Sequence, residues 1–109
     1  MSKGISTHVL DLESGTPGAG IAVTLGQGDS PIAQAVTDTD GRVADWGEAL
    51  QLGAGDYWLR FDTGSWRAAA GKSGFHPQIV IHFTVPDPTA HYHVPVLLSP
   101  FGYSTYRGS

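Results

Sequence analysis

The stretch His91-Tyr-His-Val-Pro-Val-Leu-Leu-Ser-Pro-Phe-Gly-Tyr-Ser-Thr-Tyr-Arg-Gly-Ser109 decides how the rest of the chain is read. Two strand-like runs, His91 to Leu98 and Tyr103 to Arg107, flank Ser99-Pro-Phe-Gly102, a turn built from residues that interrupt ladders. Side chains alternate along a strand, so Tyr92, Val94, Val96 and Leu98 form one apolar face. His91, His93, Pro95 and Leu97 form the other, which carries imidazoles where a purely structural strand would carry Thr or Lys. In the second run Ser104 and Tyr106 share a face and Thr105 takes the opposite one. If the runs pair as a hairpin, two histidines, a phenol and a hydroxyl meet on one sheet face.

Working outward, the chain repeats short strands and turns. Ile5 to Asp11 is expected as a first strand, with Ile5, Thr7 and Val9 facing the core and Ser6, His8 and Leu10 facing away. Strands are expected over 21–25, 32–37, 56–62 and 79–85, with a short one near Ala49 to Leu52. Asp38-Thr-Asp-Gly-Arg42 reads as a tight turn, Asp-Gly supplying the positive φ that such turns require. Gly64 to Ala70 is Ala-rich, opened by Thr63 or Ser65 as a cap and closed by Gly71, and is read as the only helix. Seven or eight short strands with a turn every eight to twelve residues indicate an all-β antiparallel sandwich.

Composition sets limits on function. The chain has 109 residues, suited to a single domain over 1–109 with an ordinary core. Fifteen Gly and seven Pro make it turn-rich. Six basic residues form no patch and the net charge is -4, which argues against nucleic acid. With no cysteine, disulfides and thiolate chemistry are excluded. No apolar run approaches the length of a membrane span, and no signal-peptide core follows Met1, so a cytoplasmic protein is expected.

Three histidines carry the chemical signal. His8, like His91 and His93, sits on the strand face that the core does not use. Taken alone, it reads as a solvated surface group. A neutral imidazole near physiological pH can take a proton from water. Arg42, read alone, is a loop cation, but its planar donor fork suits a carbonyl or enolate oxygen. His76, before Pro77 in a loop, and His82, on an exposed strand face, are read as structural or solvated. Zinc is the rival use of His8, His91 and His93, since it accepts three imidazoles. That use is set aside because no Asp or Glu is near in sequence on that face. A serine-hydrolase elbow is absent, and no helix follows Gly15-Thr-Pro-Gly-Ala-Gly20 to receive a phosphate.

The terminal stretch, with Tyr106-Arg-Gly-Ser109 as its most distinctive mark, resembles the C-terminal signature of the 5-hydroxyisourate hydrolases, transthyretin-like enzymes of purine breakdown. Ser6-Thr-His-Val-Leu-Asp11 resembles their N-terminal motif and Thr39-Asp-Gly-Arg42 their central one. His76 departs from the family, whose members usually carry an aromatic residue there. The resemblance implies a transthyretin-like sandwich of two four-stranded sheets, assembled as a homotetramer (dimer of dimers). It places active sites in a channel where two dimers meet. Carried over residue by residue, the catalytic set is His8, Arg42, His93, Tyr106 and Ser109. Ser104 joins His8, Arg42 and Tyr106 in holding substrate, and His91 supports at the channel mouth. The implied reaction is hydrolysis of 5-hydroxyisourate with His8 as base and His93 orienting the water, and neither a metal nor an organic cofactor is called for. The alternative within the same fold is a non-enzymatic small-ligand carrier of the transthyretin type. His8, His93, Tyr106 and a chain ending at Ser109 favour the enzyme. A third reading, an adhesive or structural sandwich, leaves the clustered histidines unexplained.

Overall fold

A computed structural model describes residues 4–47 and 50–109. Nine strands and one helix follow in the order β1 (Gly4–Asp11), β2 (Thr16–Pro17), β3 (Ala22–Gln27), β4 (Ser30–Val36), β5 (Arg42–Val43), β6 (Gly55–Phe61), α1 (Thr63–Ala69), β7 (Ile79–Val85), β8 (His91–Leu98) and β9 (Tyr103–Thr105). They form two sheets packed face to face. One runs β4-β3-β6-β7, antiparallel throughout. The other runs β2-β1-β8-β9, with β5 also paired to β1, so it has five strands where four were expected.

Period-two alternation places the core. Ile5 and Val9 of β1, Leu25 of β3, Leu59 and Phe61 of β6, Ile79 and Ile81 of β7, and Tyr92, Val94, Val96 and Leu98 of β8 are all buried between the sheets. These are the faces that the apolar pattern predicts for β1 and β8. Thr7 is also fully buried, its hydroxyl donating to the Val94 carbonyl at 2.6 Å, so a polar atom in the core is satisfied. The Trp46 indole donates to the Ile5 carbonyl at 2.9 Å and fastens the segment after β5 beneath β1.

The pairing of β1 with β8 departs from an all-antiparallel sandwich, because it is parallel. Its register runs from Gly4 opposite His91 to Asp11 opposite Leu98, with Ser6 opposite His93 and His8 opposite Pro95. Slipping by one residue would turn Ile5 and Val9 outward, so the buried face fixes this alignment.

Other expectations shift at their edges. Of the strand expected near Ala49 to Leu52, Ala49 lies outside the described residues and 50–52 form no strand; Leu50 and Leu52 pack against the core without joining a ladder. The helix begins one residue early. Asp62 occupies its N-cap with no side-chain cap bond, while the Ser65 hydroxyl donates to the Asp62 carbonyl instead. β9 ends at Thr105, two residues short of the expected strand.

Candidate functional site

Four features shape the polar end of the β1–β8 seam. The turn between β4 and β5 comes first. Asp38 accepts hydrogen bonds from the backbone N–H groups of Asp40 and Arg42 at 2.9 Å each, closing the loop with its own side chain. Gly41 adopts φ +78°, and a Cβ there would sit 2.4 Å from the Val9 carbonyl oxygen, so only glycine brings this turn so close to β1. The result is that Arg42 pairs directly opposite His8 in the β1–β5 ladder. Arg42 is exposed, and among the described residues its guanidinium has no ion-pair partner.

The parallel register of β1 and β8 is the second device. It sets Ser6 beside His93, and the Ser6 hydroxyl lies 2.8 Å from His93 Nδ1 and 2.7 Å from His91 Nε2. Both rings fold over Ser6, which is only 6% exposed although it faces away from the core. With Nδ1 occupied, His93 has Nε2 left for other partners.

Third, the segment after β9 returns across β8. Gly108 forms an isolated bridge with His93 and donates its N–H to the His93 carbonyl at 2.8 Å. A Cβ on Gly108 would stand 2.6 Å from His93 Cδ2, so the backbone is laid against the imidazole itself. The fourth device is electrostatic. Partial burial pushes the His93 pKa down, and the positive Arg42 guanidinium, with His8 and His91, pushes it the same way.

The resulting cavity of about 270 Å³ is lined by Ser6, Arg42, Ala44, His91, His93 and Ser109. His8 is half-buried beside it, across the ladder from Arg42. Thus the structure brings His93, Arg42 and Ser109 to one cavity, with His8 adjoining. Ser104 and Tyr106 lie elsewhere. Ser104 pairs with Leu97 and is exposed, and Tyr106, 59% exposed, lines a separate cleft with Phe83, Tyr92 and Arg107. Pairing with β8 resumes at Gly108 opposite His93 in the register of β9, which sets Tyr106 two positions before that bridge. His76 packs edge-on against Phe75 and Tyr103, and His82 is exposed on β7.

Two residues of this site escape a reading by strand alternation. Ser6 looks like an ordinary outward serine until the β1–β8 pairing is known. Gly108 offered a signal, since a glycine in a strand-like run often marks a close backbone approach. As for a metal, among the described residues no group of three or more His, Cys, Asp or Glu side chains converges to hold one, and two of the three imidazoles are turned onto a hydroxyl. The arrangement suits proton transfer to and from water beside a cation.

Comparison with known proteins agrees over nearly the whole chain. The family model described as the HIUase/Transthyretin family matches residues 5–108. The 5-hydroxyisourate hydrolase of Ralstonia nicotianae is 46% identical over 116 residues, covering 96% of this chain and 97% of the relative. The solved structure of Klebsiella pneumoniae 5-hydroxyisourate hydrolase superposes with a TM-score of 0.88 at 42% identity, covering 96% of this chain and 98% of that one. Transthyretin from Sparus aurata superposes with a TM-score of 0.88 at 31% identity, covering 95% of each. The chain belongs to the HIUase/Transthyretin family.

Proposed function

We propose that this chain hydrolyses 5-hydroxyisourate to 2-oxo-4-hydroxy-4-carboxy-5-ureidoimidazoline, a step of urate breakdown. The observation that carries the reading is His93. Its imidazole is pushed toward the neutral form by burial and by Arg42, anchored through Nδ1 and set beside a guanidinium in a small open cavity. Near-full-length identity to relatives named for this activity supports the substrate.

In the proposed mechanism water attacks the C6 carbonyl and the N1–C6 amide opens. His93 Nε2 takes the proton from water, because its neutral form persists where an ordinary histidine is protonated. This reverses the sequence-based division of labour. Among the described residues the His8 ring has no hydrogen-bond partner, and His8 pairs opposite Arg42, so it orients the water or the substrate. Arg42 holds the carbonyl oxygen as it becomes an oxyanion, an effect worth a few kcal/mol, or about 10²–10³ in rate. Ser109 closes the mouth of the cavity. Ser104 and Tyr106 remain in the proposal as groups that bound the site from the channel side. No step calls for a metal or an organic cofactor.

The same proposal includes a homotetramer, a dimer of dimers, in the cytoplasm. β7 and β9 end their sheets on either side of one cleft, and unpaired edges that lie together invite strands from a second copy. Light scattering after gel filtration tests the assembly; a monomer refutes it. Among the described residues no helix is long and apolar enough to cross a membrane.

A transthyretin-type carrier is the second reading, supported by the Sparus aurata superposition. An imidazole pair and a guanidinium around the cavity speak against it, since a large aromatic ligand needs apolar walls. The deciding experiment generates 5-hydroxyisourate from urate with urate oxidase and follows its ultraviolet decay. The chain should accelerate that decay; an unchanged rate removes the enzyme.

A further inference from the structure

The Ser6 hydroxyl has one proton and two imidazole neighbours. It therefore donates to one ring nitrogen and accepts from the N–H of the other. His91 Nδ1 is buried and has no partner among the described residues, so Ser6 is the protein contact through which a proton reaches or leaves that ring. His93 touches Ser6 through Nδ1 and keeps Nε2 for the cavity.

We propose that Ser6 and His91 form a proton relay behind His93, storing the proton taken from water and returning it to the leaving nitrogen. This rests on the hydrolytic reading of the same cavity. As water adds to the substrate carbonyl, its proton passes to His93 Nε2. The Nδ1 proton of His93 moves to the Ser6 oxygen, and the Ser6 proton moves to His91 Nε2. When the C–N bond breaks, each transfer reverses and His93 Nε2–H protonates the leaving nitrogen. Water's hydroxyl ends on the carbonyl carbon, its proton on nitrogen, and all three side chains regain their starting states.

Two features favour a relay over a lone base. An imidazolium at His93 would stand beside the Arg42 guanidinium, and the same repulsion already pushes its pKa down. Moving the charge to His91 takes it two residues further along β8, from opposite Ser6 to opposite Gly4. The chain of groups also ends at His91, whose other nitrogen has no outlet, so the proton is kept for the second half of the reaction. Ser6 is thus a positioning and relay residue.

The experiment compares wild type, Ser6→Ala, Ser6→Thr, His91→Gln and the Ser6→Ala/His91→Gln double variant on enzymatically generated 5-hydroxyisourate. Glutamine keeps a hydrogen-bond partner for Ser6 but cannot take the proton. Ser6→Ala and His91→Gln should each lower kcat about 10- to 100-fold, within the range of general acid–base effects, with little change in KM. The double variant should be no slower than the slower single, as for groups acting as a unit. Ser6→Thr, which keeps the hydroxyl, should restore most of kcat. Full kcat in either single variant, or losses that multiply, would overturn the relay while leaving the hydrolase intact. Imidazole ¹⁵N spectra supply a readout independent of turnover: the His93 Nδ1 shift should move in Ser6→Ala, and an unmoved shift overturns the relay even if wild type proves inactive.

Discussion

Replacing Gly108 by alanine tests how tightly the terminal segment sets the base. The added Cβ would stand 2.6 Å from His93 Cδ2, 3.3 Å from His93 Cγ and 3.3 Å from Pro95 Cγ. Carbon atoms settle at about 3.5–4.0 Å, so the imidazole and the segment must separate by about 1 Å. Pro95 is buried and Ser6 grips Nδ1, so the ring has little room to retreat. Either the ring tilts, dragging Nε2 off its line to water, or the segment lifts, opening the bridge at His93 and moving Ser109 from the cavity. A misplacement of about 1 Å near the reacting atoms is enough for roughly 10²-fold in rate. Stability should change little, because residue 108 lies outside the buried core. Initial rates on 5-hydroxyisourate, with urea unfolding in parallel, separate the two effects. Gly102→Ala is the control, since its Cβ would meet nothing within 4 Å. If Gly108→Ala keeps kcat within twofold of wild type, the placement of His93 by this contact is wrong.

Arg42→Gln should reduce kcat about 10²–10³-fold, the usual loss on removing an oxyanion donor; a variant with normal turnover would transfer that role to another group. The pH profile follows from His93. Its pKa is lowered by burial, Arg42, His8 and His91, and the neutral ring is the base of the proposed mechanism, so the acid limb of kcat/KM should lie below the pH at which an ordinary histidine titrates. His8→Asn removes one of these positive neighbours, so the acid limb should move to higher pH whatever the height of the plateau; movement to lower pH would contradict the electrostatics. Leu59→Ala, at a site with no exposed surface, should destabilise the chain by about 2–5 kcal/mol in denaturant titration. A loss under about 1 kcal/mol would mean the core there collapses onto the gap.

The two faces of β8 were legible because each obeys a period of two over eight residues. The same holds for β1, where Ile5, Thr7 and Val9 are buried as the pattern predicts. β2 and β5, at two residues each, are too short to carry any period, and they form only because loops return against β1. Leu50 and Leu52 show the converse: an apolar pair can pack on a core without entering a ladder. For the site, His8, Arg42 and His93 were identifiable from chemistry and from the family's motifs. Their neighbours were not. Alternation gives a side chain's face but never the partner strand or its direction, so the contact of Ser6 with both imidazoles was invisible. Alternation likewise gave no sign that Tyr106 borders a second cleft with Phe83, Tyr92 and Arg107.

The parallel β1–β8 pairing joins residues separated by 85 to 87 positions along the chain, nearly its full length. Contacts of such long range close late, after the intervening loops have lost their freedom. The β3–β4 hairpin can form from local sequence, whereas Ser6, His91 and His93 meet only when β1 and β8 have docked. Recovery of activity on refolding therefore times the final event of the folding reaction, and a partly folded chain with its local hairpins intact lacks the Ser6, His91 and His93 cluster.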